Sequence, residues 1–282
     1  MKTVAQLQEI AAQVRRDIIR MVSGANSGHP GGSLGCADLV TALYFNVMDI
    51  DPAHFTREGR GEDMFFLSNG HISPMLYSVM ARRGYFPVSE LATFRKLGSR
   101  LQGHPTPVEH LPGLRVASGS LGQGYSVAIG AAMAKKANGD DKTVFVLGGD
   151  GELEEGQVWE AYMFAGAKKV DNLIAIVDYN QKQIDGSTDD VMPLGSLKDK
   201  FTAFNWIVLE MDGNNMENVV STLNEAKKKL HNGRPVVIVM KTEMGMGVDF
   251  MMGTHKWHGT PPNAEQTEKA LAQLPQTSLG DY

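Results

Sequence analysis

The chain has 282 residues, 42% of them hydrophobic and 21% charged, with a formal net charge of -5. That composition supports an ordinary buried core, and an acidic balance without any basic run excludes nucleic acid as the main partner. A single cysteine, Cys36, excludes an internal disulfide and a cysteine-based zinc site. The first twenty-two residues carry too much charge for a signal peptide or a membrane span, so a cytoplasmic protein that contacts no membrane is expected. In chain order, apolar residues at helical spacing (Val4, Leu7, Ile10, Val14, Ile18, Ile19) predict a helix over 4–22. A glycine-rich loop, "SGANSGHPGGSLG", follows, then a helix over 36–47. "DMFFLS" (63–68) reads as a short buried strand that ends at "NGH". Helices are expected over 73–83 and over 88–97, the latter capped by Ser89, and a long irregular stretch leads to a small-residue helix over 121–137.

From residue 142 strand and helix alternate. Strands are expected over 142–148, 172–178, 206–211 and 235–241, and helices over 155–169, 196–204 and 215–231. The strands are nearly all apolar rather than alternating, as in parallel strands covered on both faces. The fold class is therefore α/β, a doubly wound parallel sheet with helices on both faces. No repeat or linker interrupts the chain, so one domain over 1–282 is expected, with a core over about 10–262 and a helical tail over 263–282.

The chemistry concentrates in "FVLGGDGELEEGQVWEA" (145–161). A strand that stops at glycines and turns into a helix resembles a phosphate-binding turn, yet it carries Asp150 and, directly after it, Glu152, Glu154 and Glu155. Ligands of open α/β sheets bind at the carboxyl ends of strands. Asp150 follows one strand and Asn180, in "VDYNQKQIDG", follows the next, so neighbouring strands would bring them together. A carboxylate and an amide oxygen are hard ligands suited to Mg²⁺ or Ca²⁺, which complete their shells with phosphate and water. Gly151 would offer its backbone N–H to the same phosphate. Alone, such a turn is as well explained by ordinary loop chemistry, and Glu152 and Glu154 by the dipole of the helix they start. Trp159 and Met163 could face a partner, but an apolar stripe is more often core. Five of the eight histidines (His29, His71, His104, His255, His258) sit in or beside glycine-rich stretches, whereas His54, His110 and His231 read as surface residues.

Seven segments in order, "SGHPGGSLG" (27–35), "LSNGH" (67–71), "QGHP" (102–105), "GSLGQG" (119–124), "GDGELEEGQVWEA" (149–161), "DYNQKQIDG" (178–186) and "GTHKWHG" (253–259), resemble transketolase. The resemblance implies a thiamin-diphosphate-binding fold and cofactors thiamin diphosphate and Mg²⁺, with Ca²⁺ or Mn²⁺ as ions the same donors accept. By matched position it implies Asp150, Asn180 and the carbonyl of Lys182 as metal ligands. Gly151 and His258 would meet the diphosphate, the backbone of Gly119 and Leu121 would line the cofactor, and Ile184 would pack under the thiazolium. His29, His71, His104 and His258 would surround the reacting carbon, where imidazole suits proton transfer near neutral pH. Glu155 and Glu160 match residues of a carboxylate network that joins two cofactor sites across a subunit interface. Departures are few: Ser120 stands where many transketolases have proline, and the methionine-rich segment 247–257 leaves the donor sugar open.

The family's aminopyrimidine-binding domain and its sugar-phosphate arginines have no counterpart after residue 262. The resemblance therefore implies the amino-terminal subunit of a split transketolase, transferring a two-carbon ketol unit from a ketose phosphate to an aldose. Its expected partner is a C-terminal transketolase subunit, in a heterotetramer of two plus two chains. Two other readings stay open on the residues. One is a subunit of a different two-chain thiamin-diphosphate enzyme, of the 2-oxo-acid dehydrogenase or deoxyxylulose-phosphate synthase kind. The other is a non-catalytic module with the same fold.

Overall fold

A computed structural model describes residues 1–282. Its strands are β1 (Met64–Leu67), β2 (Val144–Gly149), β3 (Leu173–Tyr179), the two-residue pair β4 (Lys182–Gln183) and β5 (Gly186–Ser187), β6 (Ile207–Asp212) and β7 (Val236–Lys241). Five of them form one sheet in the order β1-β2-β3-β7-β6, every pairing parallel. β4 and β5 make a separate antiparallel ribbon.

Successive side chains on a strand point to opposite faces, and here both faces are apolar. Phe65, Leu67, Phe145, Leu147, Ile174, Ile176, Val236 and Ile238 enter one core. That core is built with α1 (Val4–Ala25), α2 (Pro30–Gly35), α3 (Ala37–Ala42) and α4 (Ser73–Arg83). Met64, Phe66, Val144, Val146, Leu173, Ala175 and Val177 enter the other, with α5 (Gln123–Ala137) and α6 (Gly156–Ala167). The short α7 (Thr188–Val191) follows the ribbon, and α8 (Leu197–Ala203) adds Leu197 and Phe201 to this second core. α9 (Met216–Lys228) and α10 (Ala264–Gln273) close the first. The expected doubly wound sheet is thus present, with strand ends within about three residues of the expected ones.

Four local expectations need correction. The glycine-rich stretch after α1 contains α2, a single helical turn and a half opened by Pro30 at its first turn, a position where proline's missing N–H costs nothing. The helix expected over 36–47 is α3 followed by a π-helical turn, Leu43–Val47. The expected helix over 88–97 is only a 3₁₀ segment, Val88–Thr93, preceded by Pro87 rather than capped by Ser89. It ends there because the chain turns through Arg95, at φ +57°, toward Gly98. Finally, the residues after 262 are no tail outside the core. Ala270 and Leu274 are buried in the first core, and Asp281 pairs with Arg16 of α1 at 2.7 Å.

Candidate active site

β2 and β3 are adjacent, with Gly149 opposite Asp178, so Asp150 and Asn180 do leave neighbouring strand ends. Both line one cleft with Asn69, Leu121, Gly151, Lys182, Ile184 and His258. Asp150 is 2% exposed. Its carboxylate accepts the backbone N–H of Gly151 (2.8 Å) and of Gln181, and it joins no ion pair. Burial and the neighbouring Asp178 carboxylate push its pKa up to about 8. Asp178 itself is satisfied by the Thr242 hydroxyl and by Asn180 Nδ2 at 2.9 Å. Asn180 Oδ1 accepts Lys182 N–H at 2.9 Å and keeps a second lone pair.

A buried carboxylate beside another, with no cation, is the costly arrangement that a bound ion relieves. No trio of histidine, cysteine or acidic side chains forms a metal cage. A Mg²⁺ site does not require one, because that ion is commonly held by one or two carboxylates together with substrate phosphates. The donor set around Asp150 and Asn180 therefore fits a divalent cation of the magnesium kind.

The Gly151 N–H was expected to face a diphosphate and instead donates to Asp150. The turn is close-packed, since a Cβ on Gly151 would come within 3.3 Å of Gln183 Cβ. Gly119, at φ +116°, lies beside the cleft rather than in its wall, and a Cβ on it would collide with the His104 ring. Ile184 sits at the tip of the β4–β5 ribbon, 61% exposed, an apolar side chain facing open cleft. Glu155 and Glu160 are exposed and outside the cleft wall, so the structure does not bring them to the site.

The four histidines converge. His29 lies 5.0 Å from His71, 5.8 Å from His258 and 6.5 Å from His104, measured between ring centroids. Backbone contacts enforce this. His29 precedes α2, whose Gly31 N–H donates to Trp257 O at 3.0 Å, next to His258. A Cβ on Gly31 would lie 2.8 Å from that same carbonyl, and one on Gly32 would lie 2.9 Å from Ile72, beside His71. The glycine pair thus lets three histidine loops touch. His29 Nδ1 and His258 Nδ1 are buried without a hydrogen-bond partner, as is Asn69 Oδ1 in the cleft wall. Buried polar atoms left unpaired are rare and ask for a ligand or water.

Burial lowers all four imidazole pKa values, that of His29 to about 4, assisted by the charges of His258, Arg95 and His104. At neutral pH they are uncharged hydrogen-bonding groups rather than groups at half-titration. Below the ordinary histidine value of ~6.5 the unfolded chain therefore binds more protons than the folded one. Their contribution is fully present above that pH and is lost as pH falls toward 4. The raised Asp150 pKa acts in the opposite direction, so a comparison with His29→Gln isolates the effect. We expect wild type to lose more urea stability than His29→Gln between pH 7 and 5; equal losses would contradict the assignment.

Two contributors were missed or misread. Asn69, 2% exposed, ends the β1 segment much as Asn180 ends β3, and "LSNGH" held the signal. Glu152 is 2% exposed and takes three hydrogen bonds, so it is no solvated dipole-capping residue. Trp159 faces inward, stacked on Phe201 at 5.7 Å, whereas Met163 is exposed. His54, His110 and His231 are exposed as expected.

Comparison with known proteins identifies the family. The family model described as "Transketolase, thiamine diphosphate binding domain" matches residues 7–277. One of the subunits of an apulose-4-phosphate transketolase from Phocaeicola vulgatus is 41% identical over 92% of this chain and 90% of its own length. A 6-deoxy-6-sulfo-D-fructose transketolase subunit from a Clostridium species is 39% identical over 95% and 96%. Among solved structures, transketolase from Leishmania mexicana superposes with a TM-score of 0.89 at 32% identity, over 98% of this chain. The chain spans only 42% of that longer protein.

Proposed function

The chain belongs to the transketolase family, and from that premise we propose that it is the amino-terminal subunit of a two-chain transketolase. It acts with thiamin diphosphate and Mg²⁺ on a two-carbon ketol unit passed from a ketose phosphate to an aldose. The observation that carries the reading is that the Asp150–Asn180 pair shares one cleft wall with His71 and His258, on which His29 packs with His104 beside it. Thiamin diphosphate, when bound, supplies the electron sink for breaking and making the carbon–carbon bond.

The chain's own residues hold and orient. Asp150, Asn180 and the Lys182 carbonyl would hold the metal, and His258 would meet the diphosphate beside it. Ile184 would underlie the thiazolium. His29, His71 and His104, neutral at pH 7, would accept and return hydroxyl protons of the sugar and hold its oxygens in place. The substrates named for the relatives, apulose 4-phosphate and 6-deoxy-6-sulfo-D-fructose, mark the class: short ketoses with an anionic end.

Two features support a second chain. The cleft volume is about 100 Å³, below the ~300 Å³ at which small-molecule sites begin. It suits a diphosphate with its ion rather than a whole cofactor, so the remaining walls would come from a partner. The outer face of α5 and α6 is also apolar, with Val127, Met133, Met163 and Phe164 exposed. Gly130, in mid-α5, has nothing near its missing Cβ, and an exposed helical glycine costs ~1 kcal/mol without a neighbour to pack on it. These helices would form the contact with the C-terminal subunit, in a two-plus-two assembly that sets Glu155 and Glu160 between sites. Met163→Glu should then weaken assembly by at least about 30-fold without lowering the melting temperature; assembly at wild-type affinity would contradict it.

Titration calorimetry tests the cofactor reading. With Mg²⁺ present, thiamin diphosphate should bind the two-chain complex tightly and this chain alone weakly. A verified complex that binds none would favour the non-catalytic module instead.

A further inference from the structure

Of the four glutamates that follow Asp150, only Glu152 is buried. We propose that Glu152 is a positioning residue whose carboxylate ties together the three loops at the diphosphate end of the cleft, and so sets the affinity of the site for thiamin diphosphate and its metal. The inference rests on the functional reading above.

The geometry is specific. Oε1 accepts the Ser68 hydroxyl and the backbone N–H of Gly122 at 2.7 Å, and Oε2 accepts the backbone N–H of Gly149 at 3.2 Å. Each donor belongs to a different element and adjoins a cleft residue: Ser68 precedes Asn69, Gly122 follows Leu121, and Gly149 precedes Asp150. One carboxylate therefore sets the spacing of β1, the start of α5 and the end of β2.

Glycines clear the room it occupies. A Cβ on Gly148 would lie 2.6 Å from Glu152 Oε2 and would overlap the Tyr125 hydroxyl. One on Gly124 would lie 2.5 Å from Ser68 Oγ. Burial raises the Glu152 pKa and the three hydrogen bonds oppose that rise. A helix-capping role would need no burial at all.

The chemistry makes the role testable. A carboxylate only accepts, and it can serve donors on both oxygens. Glutamine at 152 keeps its shape and can serve Ser68 and Gly122 through Oε1, but it sets its NH₂ against the Gly149 N–H. The link to the Asp150 turn is then lost while the fold is kept.

The experiment uses the two-chain complex in saturating Mg²⁺. Thiamin diphosphate is titrated calorimetrically into wild type, Glu152→Gln and Ser68→Ala, and kcat is measured for each at saturating cofactor. We expect Glu152→Gln to raise the cofactor Kd by about tenfold, in line with the loss of an outer partner of a ligand, with kcat nearly unchanged. Ser68→Ala should move the Kd the same way by less. An unchanged Kd in either variant would overturn the inference, as would a collapse of kcat at unchanged Kd, which would mean direct participation in the chemistry. Should Glu152→Gln fail to fold, Ser68→Ala decides alone. Failure of the wild-type complex to bind cofactor would instead overturn the functional reading.

Discussion

Replacing Asp150 by asparagine is expected to abolish Mg²⁺-dependent cofactor binding while leaving the isolated chain close to wild type in stability. The carboxylate is buried, lies beside Asp178 and has no cationic partner, and these surroundings push its pKa up to about 8. Its charge is therefore a burden on the fold in the absence of a metal. Asparagine removes that burden and keeps an oxygen to accept the Gly151 N–H, which offsets the loss of an acceptor for the Gln181 N–H. The same change removes the one anionic ligand of the proposed ion. Losing an outer hydrogen-bond partner of a ligand costs up to ~100-fold in affinity or activity, and losing the ligand itself should cost more. Thermal melting and calorimetry on Asp150→Asn separate the two effects. A variant that melts lower but binds cofactor normally would mean that Asp150 is a structural turn residue.

The second large effect is expected at His29. Its ring lies nearest the centre of the cluster, within 6.5 Å of His71, His104 and His258, and its Nδ1 is buried without a partner. Burial holds its pKa near 4, so it stays neutral across the physiological range and can both donate and accept. His29→Ala should lower kcat by about 10²–10⁴-fold, the range for loss of a positioned proton-transfer group. The Kd for thiamin diphosphate should stay near that of wild type, because His29 is not part of the Asp150 cleft wall. The remaining activity should show no acid limb above pH 6. A loss of cofactor affinity equal to the loss of kcat would place His29 in cofactor binding rather than in chemistry.

Much of this was legible because it depends on local pattern. Unbroken apolar runs such as "LIAIVD" identify buried parallel strands, and a polar residue just past each strand end identifies the ligand side of the sheet. Asp150 and Asn180 follow from those two rules, given that β2 and β3 are neighbours. Convergence of His29, His71, His104 and His258 was implied by the family resemblance, and the structure shows the glycine contacts that achieve it.

What escaped was set by tertiary context. Glu152 reads like Glu154 in sequence, and only the arrival of Ser68 and Gly122 from distant elements buries it. The Gly151 N–H turns to Asp150 because that carboxylate is one residue away. Helix α2 forms although three of its six residues are glycines, Gly31, Gly32 and Gly35, because the 244–257 loop clasps it through Gly31 and overrides a poor propensity. The residues after 262 carry no motif, yet Ala270 and Leu274 complete the first core.

The central claim is that this chain supplies the metal–diphosphate half of a ketol-transfer site that a second chain completes. The most direct test is a ketol-transfer assay with thiamin diphosphate, Mg²⁺, xylulose 5-phosphate and ribose 5-phosphate. It is run on this chain alone, on a C-terminal transketolase subunit alone, and on the two together. We predict turnover only in the mixture, and none when Asp150→Ala replaces wild type. Turnover by the second chain alone, or by a mixture that contains Asp150→Ala, would contradict the claim.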